Sequence, residues 1–184
     1  MIKKNSIGLV ELSSIAAGMQ AADIMLKTSE VELILSRTIC SGKYMVLVGG
    51  DVAAVQTAVE AAKETLGFGI IDDFVIPNVH PEIFPAIAGH TGVQMLDALG
   101  IIESFSIASL IEAADAAVKS ANVQLIEVRL AMALGGKAFV TMTGEVAAVT
   151  SAVEAGASLV AEKGLLVNKV VIAQPRQELL SEMI

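Results

Sequence analysis

Cys40 is the only cysteine in 184 residues, and its setting, Arg37-Thr38-Ile39-Cys40-Ser41-Gly42-Lys43, reads as the tip of a hairpin. A lone thiol forms no intramolecular disulfide. Nor can one sulfur hold a structural zinc or an iron–sulfur cluster, which take three or four protein ligands. Two readings stand. Cysteine often serves as a small buried hydrophobe, yet a turn flanked by Arg37 and Lys43 is a poor place to bury one. Three chains meeting at their hairpin tips would instead offer three thiols around one axis. Three thiolates roughly 7 Å apart repel by about 2–3 kcal/mol per pair at an effective dielectric near 20. Without metal they stay protonated; a bound iron–sulfur centre reverses that.

The other chemically capable residues are sparse. His80 and His90 are the only histidines, and neither stands at ligand spacing from another His, Cys or acidic cluster, so both read as surface loop residues. Leu134-Gly135-Gly136-Lys137 resembles half a phosphate loop but lacks the full spacing and the Ser or Thr after Lys; a hairpin turn fits better. Glu11 and Glu103 fall at equivalent places in two first strands. A catalytic acid–base pair needs two different environments, so their duplication points to a structural or lining role. Lys27 and Lys119 each follow an Asp by four residues, the spacing of an intrahelical ion pair with the cation near the helix C-terminus. An edge role in an oligomer is the competing reading. With no nucleophile–base arrangement and no dinucleotide fingerprint, no enzyme is expected.

What must position these residues is a structure written twice. Gly8, Glu11, Ser14, Ile15, Ala22, Asp23, Lys27 and Arg37 recur 92 positions later as Gly100, Glu103, Ser106, Ile107, Ala114, Asp115, Lys119 and Arg129. After a two-residue insertion beside Cys40 the offset becomes 94, pairing Lys43 with Lys137 and Val52 to Val55 with Val146 to Val149. Self-similarity at this period means two copies of one domain, not a solenoid of shorter units, and a duplicated domain can build pseudo-symmetric rings. Copy two has Met132 where copy one has Cys40.

In copy one, Ile7 to Leu12 reads as a strand, with Ser13 and Ser14 offering an N-cap. Ile15, Met19, Ala22 and Leu26 then fall on one helix face, echoed by Ile107, Ile111, Ala114 and Val118. Val31 to Ile39 and Tyr44 to Val48 read as the arms of the Cys40 hairpin. Asp51 caps a second helix with Val52, Val55, Val59, Ala62 and Leu66 inward, and Ile70 to Ile76 is a last strand, matched to Leu166–Ile172 at an offset of 96. The order βαββαβ predicts an α+β, ferredoxin-like fold, in tandem: an antiparallel four-stranded sheet with two helices on one face. The expected domains span residues 1–90 and 97–184, with a short helix within His80 to Gly89 and a connector from Thr91 to Leu96.

Composition limits the partners. At 54% hydrophobic and 17% charged residues, the chain has more apolar surface than two small cores can hide, which favours extensive subunit contact. Yet the longest stretch free of Asp, Glu, Lys and Arg is the 14 residues from Ile83 to Leu96. That is too short, and too broken by Pro85 and two glycines, to span a bilayer. No signal-peptide core follows Met1, so a soluble cytoplasmic protein is expected. A net charge of −8 and the absence of Trp argue against nucleic acid, which needs clustered Lys and Arg and aromatic platforms.

Ala22-Asp23-Ile24-Met25-Leu26-Lys27, its echo Ala114 to Lys119, and the helix start Gly50-Asp51-Val52-Ala53-Ala54-Val55 resemble bacterial microcompartment shell domains. Two in tandem resemble the trimeric tandem-domain shell proteins, over about Ile7 to Arg176. Ser36 to Lys43 is similar to the T-type members of propanediol-utilisation compartments. The resemblance implies a homotrimer forming a flat pseudohexameric tile, packed edge to edge with other shell proteins into a polyhedral organelle in the cytoplasm, around enzymes that can include redox enzymes. It implies tile-edge contacts at Lys27, Lys119 and Arg176, although copy one has His80-Pro81 where copy two has Arg176. It also implies a central opening lined by Ile39, Cys40, Ser41 and Gly42. There one Cys40 per chain is the metal ligand of a [4Fe–4S] cluster, three protein ligands in all, for electron transfer or cluster delivery across the shell. Ser41 stands where the resembling segment has proline. Two alternatives are a cluster-free tile with a gated pore for small polar metabolites, and a ligand-binding regulatory ferredoxin-like protein.

Overall fold

In the computed structural model the described residues are 5–89, 92–130 and 134–183, with side chains described to residue 180. The chain divides into two compact units, Met1–Val79 and His80–Ile184. His90, Thr91 and Met132 lie outside the described residues.

In the first unit, β1 (Ser6–Leu12), an interior strand of its sheet, is buried along its whole length. It pairs antiparallel with β3 (Lys43–Gly50) and β4 (Ile70–Pro77), while β2 (Glu32–Ile39) lies outside β3. The order β2-β3-β1-β4, with helices α1 (Ile15–Thr28) and α2 (Val52–Leu66) between strands, is the expected ferredoxin-like arrangement. Ser14 caps α1 by accepting from the Ala17 N–H at 3.3 Å, and Asp51 caps α2 by accepting from the Ala54 N–H at 2.9 Å. At the point where α2 crosses the sheet sits Gly8. A Cβ there would meet the side chains of Val55 and Val59 at 2.6 and 2.7 Å, so only glycine lets the helix approach this closely.

In the second unit, a short helix α3 (Ile83–Ala88) precedes β5 (Ala98–Ser104), α4 (Ile107–Ser120), β6 (Gln124–Leu130), β7 (Ala138–Gly144), α5 (Val146–Glu162), β8 (Leu166–Ala173) and α6 (Glu178–Met183). The sheet order β6-β7-β5-β8 repeats that of the first unit. Gly100 repeats Gly8, with Val149 and Val153 at 2.6 and 2.8 Å from an added Cβ. Ser106 repeats the Ser14 cap, accepting from the Ser109 N–H, but Glu145 makes no side-chain cap for α5. Helix α3 packs on β6 and α4. The Glu82 carboxylate accepts from the Leu125 N–H at 2.9 Å, and the Asp115 carboxylate accepts from the His80 N–H at 2.7 Å. These bonds tie residues 80–88 to the second unit.

One helix face differs between the two units. The apolar stripe Ile15, Met19, Ala22 and Leu26 lies on one side of α1 as read from its spacing, but the buried residues of the helix are Gly18, Ala21, Ala22 and Met25. Met19 remains 58% exposed, whereas its repeat partner Ile111 is fully buried. Tyr44 explains part of this. It fills the space beside Gly18, where an added Cβ would come within 2.4 Å of its ring. In the second unit the pair is reversed: Leu110 and Ala138, both fully buried, occupy the equivalent positions. A large strand residue against a small helix residue has been exchanged for the opposite, conserving volume as a close-packed core requires.

Candidate functional site

The Cys40 hairpin is built from β2 and β3, whose last cross-strand pairs are Thr38 with Tyr44 and Ile39 with Lys43. Cys40, Ser41 and Gly42 form a single 3₁₀ turn between them. Ser41 and Gly42 both take left-handed backbone angles, φ 65° and 74°. Gly42 adopts this at no steric cost, and a single Ser tolerates it at some strain. Proline, locked near −65°, could not occupy position 41 in this turn. Two residues at positive φ fold the tip back sharply, leaving Ser41 and Gly42 exposed, Cys40 half-buried and Ile39 buried.

Two interactions hold the base of this hairpin. Lys43 Nζ donates to Glu11 Oε1 at 2.7 Å, and Glu11 is only 3% exposed. Because a buried carboxylate is costly without a partner, this ion pair pins the start of β3 to β1. The Tyr44 and Ser36 hydroxyls share a hydrogen bond of 2.9 Å across the strands. Beside them burial lowers the Arg37 pKa from its ordinary value, though a guanidinium remains charged throughout the physiological range. Its repeat partner Arg129 pairs with Glu127 at 2.6 Å and stacks over Phe139 at 5.5 Å. At the matching positions unit one has Leu35 and Met45.

The remaining candidates fall into place around their repeat partners. Glu103 is held by Lys137 at 2.6 Å as Glu11 is by Lys43, so both glutamates are structural anchors of a hairpin. Leu134 to Lys137 closes as a turn, the Lys137 N–H donating to the Leu134 carbonyl at 3.2 Å with Gly135 and Gly136 at positive φ. It is a hairpin loop, not a phosphate cradle. Lys27 pairs with Asp23 at 2.7 Å, both well exposed, while Lys119 pairs at 2.5 Å with an Asp115 that is almost buried. An exposed i,i+4 pair contributes about 0.3–0.5 kcal/mol, so the first pair adds little to folding and its lysine remains accessible. Arg176 and Glu178 form an exposed pair at 2.8 Å. It raises the Arg176 pKa and lowers that of Glu178, chiefly through their hydrogen bond. The His80 N–H and Glu82 contacts on Asp115 and Leu125 were not anticipated; carrying the offset of 96 past β8 would have drawn attention to them.

Both hairpins and both lysine motifs thus repeat on one tandem scaffold. A family profile described as the BMC domain matches the chain twice, at residues 6–79 and 98–175. The chain belongs to the bacterial microcompartment domain family. It is 43% identical to the bacterial microcompartment shell protein PduT of Citrobacter freundii, across 97% of each chain. It is 34% identical to the carboxysome assembly protein CcmO of a Synechocystis strain, covering 83% of this chain and 55% of that one. A crystal structure of a microcompartment protein from Desulfitobacterium hafniense DCB superimposes with a TM-score of 0.90 at 54% identity, over 95% of this chain and 97% of that chain. The fused permuted hexameric shell protein MSM0275 shares the fold, at a TM-score of 0.64 and 21% identity over 88% and 87%. This is a tandem-domain shell protein of a bacterial microcompartment. Among the described residues no helix is long and apolar enough to cross a membrane.

Proposed function

We propose that three copies of this shell protein close into a pseudohexameric tile with the Cys40 hairpins at its axis, and that those hairpins hold one [4Fe–4S] cluster. The observation that carries the reading is the asymmetry of the two hairpins. Both hairpins have the same Lys–Glu pair at the base, but only copy one carries Cys-Ser-Gly at its tip, folded there as a tight turn.

A single chain does not suit the cluster. Among the described residues, no group of three His, Cys, Asp or Glu side chains is close enough together to hold a metal. The donor set suits the cluster only when threefold repetition supplies three Cys40 thiolates. Bound there, the cluster would supply one-electron transfer across the shell or a replacement centre for a redox enzyme inside. The rest is the work of the chain: Cys40 ligates, the left-handed Ser41–Gly42 turn closes the tip that carries it, and the Lys43–Glu11 pair holds the base of the hairpin. Lys27, Lys119 and Arg176 serve neighbouring tiles at the edges, and the chain turns over no substrate of its own.

Anaerobic reconstitution with iron and sulfide tests this. Wild type should gain one cluster per three chains, with an electron paramagnetic resonance signal on reduction, and Cys40→Ser should gain none. Equal iron in the two proteins would overturn the cluster assignment. A second reading, a cluster-free opening for small polar metabolites, draws on Gly42, where an added Cβ would meet nothing within 4 Å. A trimer structure with that opening filled by side chains in a single conformation would count against it.

A further inference from the structure

The repeat continues past the last strand of each unit. At the offset of 96 that matches β4 with β8, His80-Pro81-Glu82-Ile83-Phe84 corresponds to Arg176-Gln177-Glu178-Leu179-Leu180. The backbones agree. Asn78 and Gln174, equivalent positions, both take left-handed angles, φ 52° and 49°. The Ile83 N–H donates to the His80 carbonyl and the Leu179 N–H to the Arg176 carbonyl, each at 3.1 Å.

The first of these segments has a seat. It lies on α4 and the outer strand β6, with Ile83 fully buried, Glu82 accepting from the Leu125 N–H and Asp115 accepting from the His80 N–H. The repeat builds the same seat on the first unit from α1 and the outer strand β2, with Asp23 and Leu33 in place of Asp115 and Leu125. That face is uncovered. Leu33 is 43% exposed where Leu125 is fully buried, and Ile15, Met19 and Leu26 share its exposure.

The second segment is built to fill such a seat. Leu180 is buried in its own unit among Leu96, Leu99 and Ile126, and the Gln177 side chain bonds the Leu96 N–H and carbonyl at 3.0 and 2.7 Å. Those contacts hold α6 in place and turn Leu179, Glu178 and Arg176 outward. The exposed Arg176–Glu178 pair contributes little, so Glu178 is easily redirected.

We propose that residues 176–180 of one copy dock on the α1–β2 face of a second copy. Glu178 accepts from the Leu33 N–H, Asp23 accepts from the Arg176 N–H, and Leu179 enters the apolar face that exposes Met19, Leu26 and Leu33. The contact is head-to-tail, each chain giving one segment and receiving one, the type of interface that closes into rings. It names the joint of the proposed tile and rests on that reading. It also brings Arg176 beside the Asp23–Lys27 pair, where a tile edge would be.

Chemical linkage of full-length protein on a Cys40→Ser background tests the joint. One preparation carries Leu33→Cys and another Leu179→Cys, and the two are mixed and treated with a short bis-maleimide. Linked chain pairs should form in the mixture and in neither preparation alone. In sedimentation, Glu178→Ala should weaken association at least about tenfold, the equivalent of about 1.4 kcal/mol, with an unchanged circular dichroism spectrum. Glu178→Gln, which keeps an acceptor oxygen, should retain most of it. If the mixture yields no linked pairs while wild type sediments as a trimer, the joint lies elsewhere and the tile reading survives. If wild type sediments as a monomer at every concentration, both fall.

Discussion

Tyr44 and Gly18 show how one residue pair can distinguish two copies of the same fold. The ring of Tyr44 occupies the volume that an α-carbon substituent at Gly18 would need, and in copy two Leu110 and Ala138 divide the same volume the other way. Gly18→Ala should therefore destabilise the protein by about 1–3 kcal/mol through overpacking, read as a lower urea midpoint. Gly18→Leu combined with Tyr44→Ala, which imitates copy two, should recover much of that loss, less the Tyr44–Ser36 hydrogen bond. No recovery would mean that the two positions do not share one space. The exchange is visible in the sequence only when the copies are aligned, because neither glycine nor tyrosine is unusual alone. Cys40 was legible for the opposite reason: it is the place where the copies disagree in chemistry, not only in size.

Among the elements, strands and caps were the most readable. Apolar runs bounded by Ser14, Asp51 and Gly42 mark where strands stop and helices start, and the structure moves those limits by a residue or two at most sites. The buried face of α1 was not legible. Its inward residues are Gly18, Ala21 and Ala22, small enough for close approach, together with Met25, while Ile15, Met19 and Leu26 point outward. Periodicity shows that a helix has an apolar stripe, but not whether the stripe meets a core or another surface. The helix starts permit a direct test. Asp51→Ala should cost about 1 kcal/mol through loss of the bond to the Ala54 N–H. Glu145→Ala, at the repeat-equivalent start of α5 where no side chain caps the helix, should change stability by less than about 0.5 kcal/mol. Equal losses in thermal unfolding would show that the Asp51 bond contributes nothing particular to α2.

For the whole molecule, duplication does what a single domain cannot. In the proposed tile, two copies bound in one chain would keep a six-sided outline while varying every second hairpin and every second edge, so that three thiols, not six, face one axis. The same freedom lets α3 be seated within its own chain while, in the proposed joint, the outer face of α6 serves another. On this account, apolar surface on a chain with only 17% charged residues serves assembly between copies. Negative-stain electron microscopy of the concentrated wild-type protein tests that claim most directly. Flat threefold particles, packed edge to edge into sheets or tubes, are the predicted result. Discrete particles that stay monomeric or pair as twofold dimers at every concentration would contradict it.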